Sequence, residues 1–66
     1  MKITLNGKEK HFDSSLTLKE LIAQSCANTS RVIAEVNGGI IRAPQWEQTP
    51  IKEDDTIELV GFVGGG

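Results

Sequence analysis

The 66-residue sequence predicts an α+β domain in which a mixed sheet packs on one main helix. Three observations lead there. An alternating N-terminal segment is broken by Asn6-Gly7, a capped amphipathic segment begins at Thr17, and two later apolar runs at 32–36 and 57–63 are separated by turn-forming residues.

Ile3 and Leu5 alternate with Lys2 and Thr4, the period-two pattern of a half-buried strand. Asn6-Gly7 is the preferred pair for a two-residue type I′ turn, because both positions need positive φ. Residues 8–12 return as a second strand whose Lys and Glu side chains suit a sheet edge, with Phe12 as its core anchor. After a link at Asp13-Ser14-Ser15, Thr17 and Glu20 form a capping box, and Leu16 and Leu21 have the spacing of a hydrophobic staple. Leu18, Leu21, Ile22 and Cys26 fall on one helix face, leaving Lys19, Gln24 and Ser25 towards water. The helix is expected over residues 18–27, ending near Asn28 as a left-handed C′ residue. Val32, Ala34 and Val36 point inward from a third strand and Glu35 outward. Asn37-Gly38-Gly39 turns the chain into a short strand at Ile40-Ile41-Arg42. Residues 44–50, which include Trp46, read as an irregular connector, and Glu53-Asp54-Asp55 as a turn before the last strand.

Size and charge narrow the function classes. A chain this short buries only about 60 % of the surface its unfolded form exposes, which leaves little room for a catalytic cleft. A net charge of −2, with seven Lys and Arg residues forming no run, argues against a nucleic-acid or membrane partner. No apolar stretch approaches the roughly 20 residues of a membrane span. The N-terminus lacks a signal-peptide pattern, and a single cysteine fits a reducing compartment, so the expected location is cytoplasmic.

The side chains offer little chemistry. One Cys and one His cannot supply a zinc ligand set, so no metal site is expected. Cys26 reads as a small buried hydrophobe and His11 as solvated, with no base-and-nucleophile pair in view. Glu53, Asp54 and Asp55 lack the spaced ladder and closing Glu of a calcium loop and read as a solvated turn. Asn37-Gly38-Gly39 has neither Gly-x-Gly-x-x-Gly nor a phosphate-loop Lys. Trp46 beside Pro44 is expected to close the bottom of the core.

Attention therefore falls on Gly64-Gly65-Gly66. At about 3.3–3.6 Å per extended residue, three glycines carry the α-carboxylate about 10 Å outward. Lacking side chains, they suit a narrow enzyme cleft; the competing expectation is ordinary fraying of a chain end. If Ile57 and Leu59 face inward, Val60 faces out, and so does Ile33, opposite in parity to Val32 and Ala34. Together with Phe62, which leads into the tail, they would form an apolar patch for partner docking. Against this, single exposed apolar residues are ordinary.

The hairpin, Thr17-x-x-Glu20, Val36-Asn37-Gly38, Trp46, Asp55-x-Ile57-Glu58 and the ending Phe62-Val63-Gly64-Gly65-Gly66 together resemble the ThiS family. These are sulfur carrier proteins of thiamine biosynthesis with the β-grasp (ubiquitin-like) fold. The resemblance implies a β-grasp domain over 1–63 and a flexible glycine tail over 64–66. It implies a substrate rather than a catalyst, with no bound cofactor and monomeric on its own. A ThiF-like adenylating enzyme would use ATP to activate the carboxylate of Gly66. Sulfur from a cysteine desulfurase would then give a thiocarboxylate, which a ThiG-like thiazole synthase takes up. By position, Gly66 carries the adenylate and then the sulfur, Gly65 completes the di-glycine and Gly64 extends the arm. The alternatives are a carrier for molybdopterin, cysteine or methionine synthesis, or a ubiquitin-like interaction module that is never activated. Two positions depart from the family pattern: Asp54 stands where its Asp-Gly-Asp turn has glycine, and Arg42-Ala43-Pro44 replaces its Pro-Arg. Asp tolerates the left-handed conformation better than most residues.

Overall fold

The computed structural model describes residues 1–26 and 29–61. Its elements are β1 (Lys2–Leu5), β2 (Lys8–His11), α1 (Leu18–Ser25), a 3-10 turn (Thr29–Arg31), β3 (Val32–Val36), β4 (Gly39–Ile41), α2 (Ala43–Trp46) and β5 (Thr56–Gly61). One five-stranded sheet runs in the order β2-β1-β5-β3-β4. The β1–β2 and β3–β4 hairpins are antiparallel, and β5 enters between them, parallel to β1 and antiparallel to β3. The expected mixed sheet on one main helix is thus present.

Both hairpin turns have the same local cause. Asn6 and Gly7 have φ of 50° and 80°, and Asn37 and Gly38 have φ of 50° and 87°. Positive φ at both central positions is what a type I′ turn requires, and its twist matches that of the flanking strands.

Helix α1 begins as its sequence dictates. Thr17 is extended, its hydroxyl accepts the Glu20 N–H at 3.2 Å, and Glu20 Oε1 accepts the Thr17 N–H at 2.8 Å. The Leu18 N–H, which no helical carbonyl can reach, donates to the Thr49 carbonyl at 2.8 Å. The helix stops earlier than expected, at Ser25, with Cys26 extended at φ −128° as its C-cap. Ser and Cys are weak helix formers, and the Cys26 N–H makes the closing bond to the Ile22 carbonyl at 2.9 Å. Ala27 and Asn28, the expected helix end and C′ residue, lie outside the described residues.

Leu18, Leu21 and Ile22 pack onto Ile3, Leu5, Ala34, Ile57 and Leu59 from the sheet, with Trp46 and Ile51 closing one end. Phe12, Leu16, Val32, Val36 and Cys26 are half-buried around them. The connector expected to be irregular contains α2. Pro44 falls in its first turn, where a missing N–H costs nothing. A four-residue helix is too short to show a period in sequence. It buries Trp46, whose indole N–H donates to the Ile41 carbonyl at 2.9 Å.

The acidic turn also differs from expectation. Glu53 and Asp54 are exposed, but Asp55 is buried. Its carboxylate accepts from the Lys52 N–H at 2.8 Å and from the Asn37 carboxamide at 3.0 Å, while Asn37 Oδ1 accepts the Thr56 N–H at 2.9 Å. Burial of the charge is possible because these donors replace water. Asp54 has φ of 67°, a left-handed conformation that Asp tolerates better than most residues.

Candidate functional site

Strand β5 is the last described element before the glycine segment, and it is anchored along both edges. On the β1 side, Thr4 N–H donates to Asp55 O and Asn6 N–H to Ile57 O, both at 2.9 Å. Where β1 turns away, the Asn6 side chain continues the ladder. Its Oδ1 accepts the Leu59 N–H at 2.8 Å and its Nδ2 donates to the Leu59 carbonyl at 3.3 Å. On the other side β3 stays paired as far as Val32 opposite Gly61. The strand is therefore held at both edges almost to its last described residue. Phe62 and the tail residues Gly64, Gly65 and Gly66 lie outside the described residues.

The sheet face away from α1 carries the other expected residues. Ile33 and Val60 sit directly opposite each other on β3 and β5, 39 % and 51 % exposed, one position before Gly61. Glu35 and Glu58 form the next pair on the same face, and Ile40, 68 % exposed, lies opposite Glu35 on β4. The Glu pair and Ile40 were missed in the sequence, although the place of Ile40 was available there: a two-residue Asn37-Gly38 turn sets Val36 opposite Gly39 and hence Glu35 opposite Ile40.

Elsewhere the polar groups are structural. His11 is exposed, its Nε2 2.6 Å from Glu9 Oε2. Lys2 Nζ lies 3.3 Å from Asp54 Oδ1, and hydrogen bonding and charge attraction from that carboxylate raise the Lys2 pKa above its ordinary 10.5. Among the described residues no group of three or more His, Cys, Asp or Glu could hold a metal, and no helix is long and apolar enough to cross a membrane. A dimple of about 90 Å³ between α1 and α2 is lined by Lys19, Ile22, Ala23 and Trp46. A trough of about 290 Å³ runs past Asn37 and Asp55, but both of those side chains are already committed to each other.

A mixed sheet with its last strand at the centre, wrapped on one helix, defines the β-grasp class of ubiquitin-like domains. It superposes on the crystal structure of the thiamine biosynthesis protein ThiS from Geobacter metallireducens with a TM-score of 0.85, at 35 % identity over the whole of both chains. The chain belongs to the ThiS family, whose model matches residues 3–66. It is 34 % identical to the sulfur carrier protein ThiS of Bacillus subtilis, over 97 % of this chain and 98 % of that one. It is 32 % identical over its whole length to a thiazole synthase of Paramagnetospirillum magneticum, but spans only 20 % of that protein.

Proposed function

We propose that this protein is a sulfur carrier of thiamine biosynthesis, a co-substrate whose Gly66 carboxylate is activated and then loaded with sulfur. The observation that carries the reading is the anchoring of β5: a strand clamped on both edges ends at Gly61 with the exposed Ile33–Val60 pair one position before it, and the sequence continues through Phe62-Val63 to three glycines. Membership of the ThiS family supports the same chemistry.

A carboxylate is a poor electrophile. A ThiF-like adenylating enzyme would join it to the α-phosphate of ATP, releasing pyrophosphate and giving an acyl adenylate whose AMP is a good leaving group. A persulfide supplied by a cysteine desulfurase would attack the acyl carbon and expel AMP. A second thiol would open the resulting acyl disulfide, leaving the thiocarboxylate and a new disulfide. ATP belongs to the activating partner, and docking of the folded body raises the effective concentration of the terminus at the reacting atoms. The similarity to part of a protein named thiazole synthase supports a thiazole synthase as the sulfur acceptor, over molybdopterin, cysteine or methionine synthesis.

Incubation with ATP, the adenylating enzyme and a sulfur donor, followed by intact mass measurement, tests this. The expected product has sulfur in place of one oxygen at Gly66, and thiazole synthase with its other substrates returns the mass to the starting value. An unchanged mass after the first incubation would support a passive ubiquitin-like module instead.

A further inference from the structure

The sheet face away from the helix contains an arrangement that its own fold does not favour. Glu35 and Glu58 are directly opposite each other on β3 and β5. Such pairs lie about 4.5–5.5 Å apart at Cβ, and like charges there are destabilising. Neither forms an ion pair among the described residues, whose ion pairs are Lys2–Asp54 and His11–Glu9. Apolar side chains adjoin the two carboxylates: Ile33 and Val60 in the row towards Gly61, and Ile40 opposite Glu35. Exposed apolar groups around concentrated negative charge call for a complementary cation carried on an apolar surface.

We propose that this face docks a protein surface presenting an arginine between aliphatic side chains, its guanidinium bridging Glu35 and Glu58 while Ile33, Val60 and Ile40 receive the surround. Arginine fits better than lysine because its planar fork can donate to two carboxylates at once, and it is less strongly hydrated. A hard metal ion does not fit, since calcium takes six to eight oxygen ligands and two carboxylates alone do not supply them. The partner's identity as the adenylating enzyme rests on the proposed function; the recognition chemistry rests on the face itself.

The test compares ATP-dependent pyrophosphate release by the adenylating enzyme of the same organism, at low and high salt, for the wild type and Glu35→Gln/Glu58→Gln. The double variant should raise KM about tenfold or more with kcat unchanged, and should flatten the salt dependence. Its thermal midpoint should equal or exceed that of the wild type, because the repulsion has gone. Asp13→Asn/Glu47→Gln, which removes two exposed carboxylates elsewhere, should leave KM unchanged. A KM and salt dependence like the wild type's, or an equal loss in the control, overturns the arginine site while leaving the carrier reading intact. Absence of pyrophosphate release from the wild type overturns both.

Discussion

The Asn6 carboxamide holds the main chain of Leu59 at both polar atoms, accepting from the N–H at 2.8 Å and donating to the carbonyl at 3.3 Å. A turn residue thereby acts as one more rung of the β1–β5 ladder. Asn6→Gly keeps the positive φ but deletes both bonds, and should cost about 1–2 kcal/mol in urea unfolding. Asn6→Ala adds the strain of a left-handed alanine, about 1 kcal/mol more. A glycine variant as stable as the wild type would show that the clamp contributes nothing.

The buried Asp55 carboxylate makes a second clamp with Asn37 and the Lys52 N–H. Asp55→Ala leaves two donors without their partner and should destabilise the domain by about 1–3 kcal/mol. A double-mutant cycle with Asn37→Ala measures the shared part. Additive losses would mean that the two side chains act independently.

Asp54 combines a left-handed backbone with the Lys2 ion pair. Asp54→Gly relieves the first and loses the second, so stability should change by less than about 1 kcal/mol. Asp54→Val should cost about 1–2 kcal/mol or more. The pair has a sign in pH. Because the folded Lys2 value is raised above 10.5, its contribution is complete below that value and is lost as pH rises through the folded value. NMR titration of the Lys2 side chain should show its pKa falling back towards 10.5 in Asp54→Asn.

Deleting Gly66 should abolish thiocarboxylation, read by intact mass, while leaving the amide spectrum of residues 1–61 unchanged, since the described sheet ends at Gly61. A truncated chain that still gains sulfur would move the reacting carboxylate elsewhere.

What could be read in advance was whatever is encoded locally. The Asn-Gly turns, the Thr17–Glu20 box and the inward Leu18-Leu21-Ile22 face depend on neighbours within four residues, and all are present. The left-handed Asp54 was suggested by the family resemblance alone, since an acidic run of three has no local signal that sets which residue takes positive φ. The Asn6–Leu59 and Asn37–Asp55 bonds join residues 53 and 18 positions apart, and nothing in their spacing announces them. Burial of Asp55 followed from those bonds and so was missed with them. Helix α2 lacked the length for periodicity. The outward parity of Ile33 and Val60 was legible from alternation; the facing of Glu35 and Glu58 required knowing that β3 and β5 are neighbours.

The placement of β5 has a consequence for how the molecule is made. The two hairpins share no strand contact with each other until β5 enters between β1 and β3. During synthesis the ribosome releases both hairpins first, and the sheet stays in two halves until residues 56–61 have emerged. A nascent chain interrupted before Thr56 thus has no centre to fold around. Completion of the body is tied to the arrival of the segment that leads towards the glycines, so a chain that stops short of Thr56 lacks the finished sheet and the tail together.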